Sequence, residues 1–241
     1  MSDRSATVPD DSLQVSDHTK IVEFVLGNYK ELSDMNESTP MTAVQILEAC
    51  AGLARESGQS DPQLFSRAAV GVHDLDEFLA RNEVPDSVWQ SAVPVIIKTI
   101  QANSNEERIG LLELESRRQV YDASLQTGFE VAKDILIDGA DTIYSPETEI
   151  QVVYQVMDPR QLLGGLTALK DQISGALGAV KDVAVADGAG AVAGAVVGGI
   201  KGGIAGAAAG GPGVAAGALA GAAKDAVYGA IGASVSSAVK K

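Results

Sequence analysis

The sequence predicts a mainly α protein: a helical N-terminal bundle, a C-terminal Gly/Ala-rich helical hairpin, and one short strand near residues 149–157. Three observations carry that expectation. Apolar residues recur at three- and four-residue steps through most of the first 140 positions. Capping residues followed by Pro mark where such stretches begin, at Ser38-Thr39-Pro40 and Ser60-Asp61-Pro62. Glycine then returns every fourth residue from Gly190 onward.

In chain order, residues 1–19 read as a polar, acidic, disordered arm with no apolar signal-peptide core. Residues 20–158 read as a helical domain. Lys20–Met35 places Ile21, Phe24, Val25, Tyr29 and Leu32 at helical spacings. Ser38-Thr39-Pro40 opens a helix to Ser57 that buries Val44, Leu47, Cys50 or Ala51, and Leu53 or Ala54, and Gly58 ends it. A helix from Pro62 to about Arg81 follows. Another starts at Pro85-Asp86 and turns Trp89, Val93 and Ile96 or Ile97 inward, with a kink or restart expected at Pro94. A long helix is expected from Ser104 through Leu111, Leu114, Val120, Leu125, Phe129, Val131 and Ile135, ending near Gly139. Glu149–Met157 is rich in β-branched residues and reads as a strand or extended connector. Residues 159–187 read as an amphipathic connecting helix. In it Leu166, Leu169, Ile173, Ala176, Val180 and Val183 form a short a/d seam, suited to packing on the bundle or on a second copy.

The last segment, 188–241, is the most specific. Gly190, Gly194, Gly198, Gly202, Gly206 and Gly210 recur without a miss, and Gly213, Gly217, Gly221 and Gly229 form a second ladder, with Asp225 in the vacant slot. Four residues are about 400° of helix, so each ladder is one slowly winding stripe. Gly211 and Pro212 break the run and are the expected hinge. Glycine costs about 1 kcal/mol against alanine in an exposed helix, so the ten glycines of 188–211 cost on the order of 8–10 kcal/mol. Such a helix needs a close-packed partner or a low-polarity surround. The first helix is long enough to span a bilayer. However, its five valines and isoleucines contribute roughly −1.5 to −3 kcal/mol, and Lys201 returns about the same. A conditional insertion fits that balance. Lys201, Lys224 and Asp225 are then the candidate lumen or switch charges.

The stretch 186–239, GAGAVAGAVVGGIKGGIAGAAAGGPGVAAGALAGAAKDAVYGAIG at its centre, resembles glycine-zipper membrane hairpins. It is similar to the glycine-zipper two-helix domains of bacterial envelope proteins and to GxxxG-rich two-peptide bacteriocins. The resemblance implies helix association in membranes and, for the bacteriocins, permeabilisation of a target cell. It covers under a quarter of the chain, and residues 1–185 resemble no such family.

Charge and chemistry narrow the rest. The 241 residues carry a net charge of −14, but the segment from Gly188 holds four lysines and one Asp, which leaves −17 on residues 1–187. Such acidity disfavours a nucleic-acid backbone as partner. Cys50 has no second Cys for a disulfide, and with His73 as its one available base it reads as a core thiol rather than a nucleophile. His73 with Asp74, Asp76 and Glu77 lacks a second histidine at i+4 and reads as a solvated face. Glu106-Glu107 and Arg117-Arg118 read as surface pairs, and Asp138/Asp141 lacks the ligand count of a calcium loop. Gly188-Ala189-Gly190 with Gly194 imitates a dinucleotide loop without its βαβ setting. No catalytic site, metal site or cofactor is therefore expected.

The functional expectation is a non-enzymatic, membrane-active protein whose hairpin inserts conditionally and oligomerises to permeabilise a bilayer. Its partners would be lipid and further copies of itself, with a protein partner open to the N-terminal domain. It would be made in the cytoplasm without a signal peptide and, when active, be membrane-associated or exported by a non-Sec route. The alternative is a structural or assembly protein that uses the hairpin as a close-packed oligomer interface.

Overall fold

The computed structural model describes residues 12–38, 41–58, 60–81, 85–140, 143–144, 183–208 and 213–239. Those residues form nine helices and no strand: α1 Val15–Gly27, α2 Tyr29–Ser38, α3 Ala43–Ser57, α4 Pro62–Ala80, α5 Asp86–Gln101, α6 Asn105–Ser116, α7 Ala123–Asp138, α8 Val183–Ala208 and α9 Gly213–Ala238. The mainly α expectation holds, including the C-terminal helical hairpin. The expected strand at 149–157 and the seam from Leu166 to Val180 lie outside the described residues.

Several boundaries differ from expectation, each for a local reason. The chain is helical from Val15 rather than Lys20, because Gln14 and Asp17 form a reciprocal capping box. Leu13 is already buried there, so the arm is shorter than 19 residues. The helix then breaks at Asn28, whose side chain bonds back to the Phe24 carbonyl and separates α1 from α2. Ser38 ends α2 instead of opening α3. The cap of α3 is Thr42, whose hydroxyl accepts the Gln45 N–H while the Gln45 side chain accepts the Thr42 N–H. Gly58 closes α3 in the left-handed region at φ 66°, as its position suggested. Pro94 lies at an exposed position within a continuous α5, so no restart occurs there.

The expected long helix from Ser104 is two helices. Between them Glu115 accepts hydrogen bonds from Arg118 and from the Tyr121 hydroxyl at 2.9 Å, and Asp122 caps α7 by accepting the Leu125 N–H. Of the apolar positions along the expected single helix, Leu114 in α6 and Val120 in the turn are exposed.

The composition break at Gly188 is not a packing boundary. α8 starts at Val183, and residues 184–199 are all buried. It is apolar all round, which suits the centre of a bundle. It packs against α9, α7, α5 and α4, while α9 also meets α7, α4, α1 and α3. One core therefore runs from Ile21, Phe65, Ile96, Phe129 and Leu136 into Val192, Val196 and Ile231. Two glycines of the surrounding helices admit the hairpin: a Cβ on Gly71 would enter the Tyr228 ring, and one on Gly128 would meet Ala195 Cβ.

Candidate functional site

The two glycine stripes face each other within the chain. A Cβ on Gly190 would lie 2.5 Å from the Gly229 carbonyl oxygen. Gly194 opposes the Asp225 carbonyl, Gly198 opposes Gly221, Gly202 opposes Gly217 and Gly206 opposes Gly213, each inside 3.0 Å. Each step of four up α8 is thus matched by a step of four down α9. The contact is reciprocal at Gly190–Gly229, Gly198–Gly221 and Gly202–Gly217. The glycine Cα–H bonds there aim at carbonyl oxygens of the facing helix, a geometry that contributes weak C–H···O bonds. Any side chain at these positions separates the helices. Gly210, Gly211 and Pro212 lie outside the described residues.

Asp225 shows why the second ladder skips a rung. Its Cβ would sit 2.7 Å from a Cβ on Gly198, so it fits only because Gly198 has none. Its carboxylate reaches across the hairpin to Lys201, with Nζ and Oδ2 2.9 Å apart. Of the three candidate lumen or switch charges, the structure thus brings Lys201 and Asp225 together. Lys201 also lies 5.9 Å from the Phe78 ring centroid on α4. Lys224 is exposed and stands 5.7 Å over the Tyr228 ring.

A second cluster ties α8 to the bundle, and of its members only Asp138 was singled out from the sequence. His18 Nε2 donates to Asp187 Oδ1 at 2.8 Å, with both side chains fully buried. The Tyr144 hydroxyl donates to the other Asp187 oxygen. One residue along α1, the Thr19 hydroxyl donates to Asp138 at the end of α7. A signal for this cluster was present: Asp187 is the lone charge between Val183 and Ile200, and a charge in an apolar helix requires a partner. What hid it was the assignment of His18 to the arm.

The remaining sequence candidates are dispersed. His73 pairs with Glu77 at 3.6 Å on an exposed face. Burial pushes the Cys50 thiol up to about 12, which leaves it no nucleophilic thiolate near neutral pH. Glu107 accepts from Asn103 at the exposed start of α6, and Arg117 pairs with Glu113. Glu115 is the buried acid of that region. Burial raises its carboxyl, but the Tyr121 hydroxyl, Arg118 and Lys98 outweigh this and hold it below the usual range. Asp141 lies outside the described residues, and Gly188–Gly194 is helical, not a loop. Among the described residues no group of three or more His, Cys, Asp and Glu side chains could hold a metal ion.

The buried and exposed parts of the hairpin differ sharply. Its base lies in the core, whereas Ile204, Ala205, Ala207, Val214, Ala215, Ala216, Leu219 and Ala220 are exposed. Between Lys201 and Lys224 no residue carries a charge. α8 is long and apolar enough to cross a membrane, with mean hydropathy 1.7 in Val183–Ala207; 83% of that window is buried, as it is in core helices of soluble proteins. Comparison with protein-family models, with curated proteins and with solved structures gave no match.

Proposed function

We propose that the chain is a non-enzymatic, membrane-active protein: a helical sheath, α1–α7, carries the α8–α9 hairpin, which enters a bilayer and permeabilises it. The observation that carries this reading is that the hairpin keeps its own interface. Its rungs are backbone against backbone within one chain, from Gly190–Gly229 to Gly206–Gly213, and depend on no sheath residue. By contrast, α8 meets the sheath through alkyl groups such as Val192, Val196 and Val197. Lipid tails replace such contacts at little cost, because they are as apolar as the side chains they displace. The polar ties that must break include Asp187 to His18 and Tyr144, Asn36 to the Val239 carbonyl, the Leu13 backbone to the Tyr228 hydroxyl, and the contact of Lys201 with Phe78.

Assembly through the same stripes has no comparable support, because the stripes face each other within one chain. Permeabilisation by several copies would use the outer faces of already paired hairpins.

The test is dye release from liposomes by the full chain at neutral and mildly acidic pH, with a membrane-partitioned photoactivatable probe present. The expected result is release, with labelling concentrated in α8 and α9. Release with labelling confined to α1–α7, or no release at either pH, overturns the proposal.

A further inference from the structure

We infer that the folded chain docks on anionic lipid headgroups through the exposed end of its hairpin before any rearrangement. This inference rests on the membrane reading above and adds the docking surface, the lipid class and the depth of entry.

The surface has two parts. The first is an uncharged apolar end, residues 202–207 with 213–223, on which Ile204 is 59% exposed, Val214 42% and Leu219 36%. Ile204 and Leu219 each lie two residues from facing rungs and so point outward from opposite sides of the hairpin, and leaving such side chains in water is unfavourable by about 25 cal/mol per Å² of apolar surface. The second part is a cationic collar directly behind it, Lys201 on α8 and Lys224 on α9. Lys201 lies seven residues before Ala208, the end of α8, and Lys224 eleven after Gly213, the start of α9. At 1.5 Å per residue the collar stands about 10 Å and 16 Å from those helix ends. Half of a ~30 Å hydrocarbon core is about 15 Å. The uncharged stretch ahead of the collar is thus comparable in length to one leaflet, although Leu13, Val15 and Val131 of the sheath flank part of it, so its outer side is what meets the surface first.

Two features select an anionic surface. Lysines at the hydrocarbon boundary extend their ammonium groups to headgroup phosphates, and each attracts anionic lipid. Among the described residues Lys224 has no carboxylate in ion-pair contact, so its charge is available, while Asp225 already partners Lys201. The charge asymmetry of the chain also orients it. An anionic membrane repels the acidic residues 1–187, whereas the stretch from Lys201 to Lys224 holds two lysines and no acid, so approach led by this end is the least opposed.

The experiment is vesicle flotation of the full chain at neutral pH, on phosphatidylcholine alone and on phosphatidylcholine with one third phosphatidylglycerol. Leu219→Asp and Lys224→Gln alter exposed side chains, and thermal melts in buffer verify their folds. Wild type is expected to bind the anionic vesicles several-fold more strongly, with the difference shrinking at high salt. Lys224→Gln should lower anionic binding about fivefold and leave neutral binding unchanged. Leu219→Asp should lower binding to both by tenfold or more. Equal binding to the two compositions, or variants that bind like wild type, overturns the docking inference. Dye release that persists alongside such a result leaves the insertion reading standing; a wild type that neither binds nor releases overturns both.

Discussion

The sheath and the hairpin are held together by different physics. In α1–α7, side chains fill the space between helices: Phe65, Phe129, Ile96 and Leu136 are fully buried, and polar turns such as Glu115–Arg118–Tyr121 set the chain direction. In α8–α9 there is little side chain to pack, and the two backbones meet directly. A side-chain core tolerates replacement by another apolar medium, because its attraction is non-directional. A backbone-to-backbone interface tolerates no added atom but needs no particular surroundings. On the function proposed above, the hairpin keeps its own interface while its protein neighbours are exchanged for lipid.

The comparison can be broken most forcefully at Gly198. The facing carbonyl of Gly221 and the Asp225 Cβ leave no room for a side chain. Gly198→Leu should destabilise by more than about 4 kcal/mol, above the usual range for overpacking, since backbone cannot rotate aside as a side chain can. Chemical denaturation of the full chain reads this. A loss under about 1 kcal/mol would mean the stripes are not close-packed.

Next is Asp187. Asp187→Ala removes the acceptor of both His18 and Tyr144 in a fully buried site and should cost about 3 kcal/mol by the same measurement. Hydrogen exchange should show the loosening at the base of α8, with the Gly198–Gly221 rungs retained.

The turn of the sheath gives a smaller, pH-dependent effect. Because the folded-state Glu115 carboxyl is held below its ordinary value of 4.5, its stabilisation is complete above that value and lost as pH falls through the depressed one. Glu115→Gln should therefore cost about 1–2 kcal/mol at neutral pH and flatten the acid limb of a melting-temperature profile.

The smallest effect has the opposite sign. Gly52 in α3 has open space where a Cβ would lie, so Gly52→Ala should stabilise by roughly 0.5–1 kcal/mol. One glycine substitution that raises stability in the sheath, beside one that lowers it in the hairpin, isolates the difference between the regions.

Much of this was legible from periodicity alone. The hairpin and its glycine stripes were visible because a four-residue repeat has few physical meanings. Gly58 and Pro62 marked helix ends because their backbone preferences act locally. What was not legible depended on distant partners. The break after Ser116 is fixed by a buried glutamate whose spacing resembles that of any surface acid. Asp225 was visible as a charge in the glycine ladder, but its partner Lys201 was not, because the contact depends on the absence of a side chain at Gly198. The placement of the hairpin inside the bundle could not be inferred from a composition break, since a buried hairpin and a separate one have the same sequence statistics.

The central claim is that the hairpin must leave the sheath to act, and a reversible lock tests it most directly. Ser124 on α7 has its Cβ 3.0 Å from the position a Cβ on Gly199 would take, close to the spacing a disulfide needs after a small adjustment. Cys50 is buried and does not compete. In the full chain carrying Ser124→Cys and Gly199→Cys, dye release from liposomes should be absent when oxidised and restored on reduction. Release that is equally strong in the oxidised form would contradict the claim.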